Sequence, residues 1–228
     1  MKKRILSILL VFCIMMSLMP ISVFAEEVGA EGSASVQLGT TALNKNVNTA
    51  TAPTVYFGQN HDNNPAAWRV IGYDGSGVTS AQGDMTLLAA SNMSSGLQFA
   101  DFGASNEYAP SNLKTAIDAL AEKLTTEENT AVKKRTLTSG NYNEENTDCV
   151  AGAQVDNAVF WPLSSKEAIA VNHDLRIADP EHPSWASSCW WLRSPGYSNH
   201  DAATVRGDGS VVYYGNAINN WWCVRPAF

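Results

Sequence analysis

Neither Cys-x-x-Cys, His-Glu-x-x-His nor an EF-hand loop occurs anywhere in the 228 residues. The common zinc and calcium sites therefore have no signature here. Gly-x-Ser-x-Gly is also missing, which removes the usual serine-hydrolase turn. The four histidines, His61, His173, His182 and His200, are far apart and fall in expected loops, where solvated side chains are the ordinary state. Basic charge is scarce as well, with 15 Lys and Arg against 22 Asp and Glu. An acidic chain without a basic patch is a poor partner for nucleic acid or an anionic membrane surface. No metal, cofactor or catalytic residue is expected.

One long apolar run is present, and it lies at the start. Lys2, Lys3 and Arg4 precede an apolar stretch from Ile5 to Met19, and Val23-Phe24-Ala25 places small residues at the cleavage-recognition positions. This is the pattern of a secretory signal, residues 1–25, with no stop-transfer pattern behind it. Cys13 follows bulky Phe12 inside the apolar run, which is the wrong place for a lipid-bearing cysteine. Removing the three basic residues from 15 leaves 12 against 22 acidic, a net charge of −10 on the mature chain. The protein is expected to be secreted, extracellular or associated with the cell surface, with no membrane contact after cleavage. Residues 26–52 are rich in Gly, Ala, Ser, Thr and Asn and lack aromatics, so they read as a flexible leader. Residues 53–228 form one domain.

Within that domain, Val55–Gly58, Trp68–Tyr73 and Met85–Ala90 read as short strands. Ser91 to Pro110 reads as loop. Ser111 is an expected helix N-cap, and Leu113, Ile117, Leu120 and Leu124 share one helical face. Thr125 with Glu128, and Ser164 with Glu167, have the spacing of capping boxes and predict two short helices. Thr138 to Asn157 is a polar excursion, and Asn172 to Ser187 an irregular loop. The last forty residues carry short apolar runs separated by Pro195-Gly196, Asp208-Gly209 and Gly215-Asn216. They predict an antiparallel meander of strands at Cys189–Ser194, Ala202–Arg206, Ser210–Tyr214 and Trp221–Pro226.

Three aromatic doublets lie in these strands: Trp190-Trp191, Tyr213-Tyr214 and Trp221-Trp222. Neighbours in a strand face opposite sides. With Leu192 and Val224 taken as core, Trp190 and Trp222 turn inward and Trp191 and Trp221 outward. Candidate ligand contacts are thus Trp191 and Trp221, with Tyr197, Asn199, His200 and Asn216 on the adjoining loops. Arg193 and Arg225, inside apolar strands, are either anion ligands or structural arginines bonded to carbonyls or carboxylates, and the structural role is the simpler expectation. Arg206-Gly207-Asp208 is an adhesion-type tripeptide at a hairpin tip, though Asp208-Gly209 is already required by the turn. After signal removal three cysteines remain: Cys149, Cys189 and Cys223. Cys189 and Cys223 each sit beside a Trp in a strand, and are expected to bridge in an oxidising compartment. Cys149 would then carry the remaining thiol; three free thiols and a catalytic cysteine pair are the alternatives.

Trp-Leu-Arg-Ser-Pro-Gly at 191–196, Asp-Gly-Ser-Val at 208–211 and Val-Arg-Pro-Ala at 224–227 together resemble the signature of exported bacterial domains of unknown function. Phe57-Gly58, Trp68-Arg69-Val70 and Ser164-Ser165-Lys166-Glu167 fall where earlier motifs of that family fall, so the resemblance spans about Val55 to Phe228. That family is similar to the C-type-lectin-like fold shared by formylglycine-generating enzymes and phage-type receptor-binding proteins. The resemblance implies an α+β domain of small twisted antiparallel sheets with two main helices and long loops. It also implies that the final strand returns beside the first. Cys223 departs from it, standing where a Gly is common. The lectin-type calcium motifs are absent. The reading that follows is a non-catalytic domain binding a glycan or an extracellular protein, with an enzyme of the formylglycine-generating type and a structural cell-surface module as alternatives. Export is checked by sequencing the N-terminus of protein from the culture medium: it should begin at Glu26, and an intact Met1 in a soluble cytoplasmic pool would contradict it.

Overall fold

The computed structural model describes residues 48–74, 84–137, 154–179 and 188–228. The signal segment, most of the leader, Cys149, His182 and Trp185 lie outside these residues. Among the described residues, two five-stranded sheets and four short helices make a mixed α+β body. The first sheet contains β1 (Thr54–Gln59), β2 (Pro65–Asp74), β3 (Asp84–Ala89), β7 (Trp161–Pro162) and β12 (Pro226–Ala227), in the order β1-β2-β3-β12-β7. The second contains β4 (Ser94–Gln98), β8 (Trp190–Pro195), β9 (Asp201–Val205), β10 (Val211–Ala217) and β11 (Trp221–Val224), in the order β10-β9-β8-β11-β4. A small ribbon pairs β5 (Arg135–Leu137) with β6 (Val155–Ala158).

The helices form where capping chemistry starts them. In α1 (Asn112–Ala121) the Ser111 hydroxyl accepts the Lys114 N–H, and Leu113, Ile117 and Leu120 are buried. The helix ends before Leu124, which instead packs towards Gly58. Both expected capping boxes are present, Thr125–Glu128 opening α2 (Thr126–Ala131) and Ser164–Glu167 opening α3 (Ser165–Ala170). A fourth helix, α4 (His173–Arg176), lies in the stretch expected to be irregular, with the Asn172 side chain accepting the Asp174 N–H. Residues 48–52, part of the expected leader, are held against this region. The Asn48 amide donates to Ala170 O at 2.8 Å and accepts from Asn172 N at 2.7 Å, and Ala52 is buried.

Two topological expectations need correction. The C-terminal strands are not a simple meander, because β11 lies parallel to β8 on the side away from β9. After β10 the chain turns back along the segment that follows β4. Ala100 N–H donates to Ile218 O at 3.2 Å, and the Gln98 amide donates to Asn219 O at 2.8 Å. That path delivers Trp221 beside Gln98 and Cys223 beside Trp190. The final strand also fails to return beside the first: β12 pairs with β3 and β7, while β1 stays at the edge against β2. β4 itself falls in a stretch expected to be loop. Its Ser-Ser-Gly composition has no apolar alternation, and backbone pairing with β11 makes it a strand.

Two buried arginines hold the sheets in place. Arg193, in central strand β8, donates through Nη1 to Pro162 O at 2.8 Å and to the Glu167 carboxylate. Glu167 Oε2 also accepts the Ser164 N–H, and Arg135 Nη1 stands 2.8 Å from Oε1 as an ion-pair contact rather than a well-directed hydrogen bond. Ser194 repeats the link, accepting the Ser165 N–H at 2.9 Å. Trp-Leu-Arg-Ser and Ser-Ser-Lys-Glu are thus two halves of one structural joint. Arg225 sits where the chain leaves β11 in the second sheet and enters β12 in the first. It is 1% exposed, and it donates to Ala89 O, Ala90 O, Leu175 O and Arg176 O, with its guanidinium over the Trp190 ring at 5.2 Å. Beyond it, Phe228 stacks on Phe57 at 4.8 Å and meets Trp68 edge-on at 4.6 Å, closing the core.

Burial alone would raise the Glu167 pKa, but the Arg193 charge and hydrogen bond, the Arg135 charge and the Ser164 N–H bring it down to about 2. A carboxyl lowered on folding stabilises the fold above its unfolded pKa, about 4.5, and loses that contribution as pH falls towards 2. Urea unfolding should therefore show stability declining steeply between those values. Glu167→Gln should cost about 3–5 kcal/mol at neutral pH by stranding the Arg193 charge, and should flatten the acid limb. An unchanged acid limb in the variant would contradict the assignment.

Candidate functional site

Two exposed aromatics of the C-terminal sheet, Tyr213 and Tyr214, lie where β10 breaks its pairing. Val212 pairs with Thr204 and Asn216 with Ala202, so Tyr213, Tyr214 and Gly215 together oppose Ala203 alone. A bulge of this kind bends the strand and re-aims its side chains. Gly215 takes φ 92°, a conformation that residues with a Cβ rarely adopt. The two tyrosines therefore escape strict alternation, and both are exposed, with ring centroids 5.8 Å apart and planes at 78°. Tyr214 O accepts the Tyr197 N–H at 2.8 Å, which brings a third ring to the same edge. Close approach of that carbonyl explains Gly196, where a Cβ would stand 2.5 Å from Tyr214 O.

The loop carrying Tyr197 is pinned from within and from outside. The Ser198 hydroxyl donates to Asp201 Oδ2 at 2.6 Å, and the Asn106 amide donates to Ser198 O and Asp201 O at 3.0 and 2.9 Å. Asn199 and His200 are exposed on this loop, and the His200 ring lies 3.4 Å from Ala104 O. Asn216 donates to Thr204 Oγ1 at 2.7 Å, which fixes the far side of the bulge. Arg206 Nη2 reaches the Tyr214 hydroxyl at 3.4 Å. The result is a hydrogen-bonded edge on which Tyr197, Tyr213 and Tyr214 are exposed, with Asn199 and His200 exposed on the Tyr197 loop and Arg206 at the Tyr214 hydroxyl.

Of the residues expected to bind, Tyr197, Asn199, His200 and Asn216 are brought together here. Trp221 is exposed as expected, at 63%, but it lies on β11, three strands from β10 in the sheet order. Trp191 is a correction. It is fully buried, donating to Leu97 O at 2.8 Å and packing edge-on against Phe99 at 5.6 Å. Alternation turns a ring outward only where a strand has a solvent face, and central strand β8 has none: every residue from Trp190 to Pro195 is buried. Trp190 is core as expected, donating to Arg176 O at 3.1 Å, and Trp222 is partly buried against Trp191. Tyr213 and Tyr214 were not singled out as ligand contacts. Gly215 immediately after the doublet was the signal that their strand would bulge.

Cys189 and Cys223 are neighbours across the parallel β8–β11 pair, with Cys223 N–H donating to Cys189 O at 2.9 Å. Both are buried as thiols, with backbone beside each sulfur, Gly207 at Cys189 and Gly96 at Cys223, and with the Cys189 sulfur near enough to act on Cys223. Burial pushes both thiols above their ordinary pKa, which makes them poor nucleophiles at neutral pH. In the Arg206-Gly207-Asp208 turn, the Asp208 carboxylate is occupied by the Ser210 N–H and hydroxyl, and Arg206 turns towards Tyr214. Among the described residues no three His, Cys, Asp or Glu side chains group to hold a metal, and no helix is long and apolar enough to cross a membrane.

No protein family, curated protein or solved structure matches the chain.

Proposed function

We propose that this is an exported, non-catalytic binding domain of C-type-lectin-like architecture, whose ligand is a glycan or an extracellular protein. The observation that carries the reading is the β10 edge, where Tyr197, Tyr214 and Tyr213 are 74%, 50% and 37% exposed around one bulge. Aromatic rings held on a rigid backbone supply contact area at little entropic cost. A loop fixed by Asn106 keeps Asn199 and His200 in place to add hydrogen bonds. The motif arginines support the same division of labour, since Arg193 Nη1 and the Arg225 guanidinium donate to the fold's own carbonyls and to the Glu167 carboxylate. Exposed Trp221, lying over Gly96, is a second contact point for a ligand large enough to reach it.

The test is to screen the mature chain on a glycan array and against a panel of extracellular proteins. The double variant Tyr213→Ala, Tyr214→Ala is then compared on whatever the wild type retains. The variant should melt as the wild type does and bind at least about tenfold more weakly, a loss of about 1.4 kcal/mol. Equal binding by the variant, or no retained ligand in either screen, would contradict the reading.

A further inference from the structure

The two most exposed large hydrophobic side chains among the described residues are Phe102, at 88%, and Tyr197, at 74%, and they lie on loops that touch. Phe102 is in the segment joining β4 to α1, and Tyr197 in the segment joining β8 to β9. The buried Asn106 amide crosses from the first segment to Ser198 O and Asp201 O in the second. In the other direction, the His200 ring lies 3.4 Å from Ala104 O. Ile218 holds both segments, its carbonyl accepting the Ala100 N–H and its own N–H donating to His200 O at 2.9 Å. The turn that carries Phe102 is itself fixed. Ala104 N–H closes it on Asp101 O at 3.0 Å, and the Asn112 amide donates to the Asp101 carboxylate at 2.9 Å. Gly103, third in the turn, takes φ 85°, and a Cβ there would meet nothing within 4 Å, so the turn stands clear at that point.

Single apolar side chains scattered over a surface are ordinary and imply no ligand. Phe102 differs in being carried on a hydrogen-bonded turn, against a second loop with an exposed ring. Backbone ordering around such a side chain is complete before a partner arrives, which lowers the cost of binding. The Phe102 ring has no hydrogen-bonding group, so its gain on binding comes from burial in an apolar pocket. Pockets that receive aromatic anchors are features of folded protein surfaces, and an extended glycan offers none. Charge narrows the partner further. Residues 99–110 and 195–205 carry Asp101, Glu107 and Asp201 and no Lys or Arg. Asp101 and Asp201 accept from neutral groups, the Asn112 amide and the Ser198 hydroxyl, which leave their charge in place. A surface of this kind is complementary to a basic one.

Resting on the reading of the chain as a binding domain, we propose that these two abutting loops dock an extracellular protein rather than a glycan, with Phe102 entering an apolar pocket that Lys or Arg side chains surround. The test titrates a panel of purified extracellular proteins, basic and acidic, on the mature chain, with a glycan array run beside it. Three variants accompany the wild type: Phe102→Ser, Asp101→Asn with Glu107→Gln, and Tyr213→Ala with Tyr214→Ala. Wild type should retain basic proteins. Phe102→Ser should melt as the wild type does and bind those proteins at least about tenfold more weakly. The carboxylate variant should show a flatter dependence of binding on salt. Retention of glycans alone, of acidic proteins alone or of no protein, an unchanged salt dependence in the carboxylate variant, or equal binding by Phe102→Ser would overturn the proposal. Equal binding by Phe102→Ser with a loss in the tyrosine variant would overturn it and leave the β10 edge standing. The reverse pattern would support docking at Phe102 and contradict the tyrosine edge.

Discussion

Arg193 and Glu167 form a buried ion pair between the central strand of one sheet and the first turn of α3. Taking two charges out of water is costly, and their attraction offsets that cost only when remaining donors and acceptors are also satisfied. Here Pro162 O, the Ser164 N–H and Arg135 take up much of that demand. The pair fixes α3 against β8, and Ser194 fixes it again one residue later. With β8 locked and covered on both faces, β9 and β11 are positioned beside it, and the bulged β10 forms the outer edge. Arg225 acts likewise at the crossing between the sheets, where it gathers carbonyls from the end of β3 and from α4. The motif residues thus build the frame, and the surface they support is composed of other residues.

Local chemistry was legible in the sequence because it depends on near neighbours. Both capping boxes, the Ser111 cap and the first three strands follow from residues within a turn of one another. The parallel placement of β11, and β12 lying three strands from β1, depend on contacts between distant segments, such as Ile218 with Ala100. Trp191 shows the same limit on a smaller scale. Its neighbour pattern resembles that of a half-buried strand, and only the sheet order reveals that β8 has no solvent side. Tyr213 and Tyr214 are the reverse case, where one bulge defeats alternation and leaves both rings exposed.

The separation between frame and surface bears on function. A guanidinium in a short motif invites a catalytic or ligand-binding role, but Arg193 and Arg225 are buried and engaged. Among the described residues, the side chains exposed on this frame include the edge tyrosines, the Asn199–His200 loop, Phe102 on the loop against it and Trp221, with Tyr56 elsewhere on the surface. Those positions can change without disturbing the core, which is how loops and edges on a rigid scaffold carry recognition.

The claim that the motif residues form the frame is tested most directly by a double-mutant cycle on Arg193→Met and Glu167→Met, read by urea unfolding at neutral pH. Glu167→Met should cost about 3–5 kcal/mol, since it removes the carboxylate from the buried Arg193 charge, and Arg193→Met should cost less, since Arg135 still faces Glu167. The double change should cost less than the two losses added together, with a coupling of about 1–3 kcal/mol between the positions. Losses that add within about 0.5 kcal/mol would contradict the account, because residues that do not share an interaction behave additively.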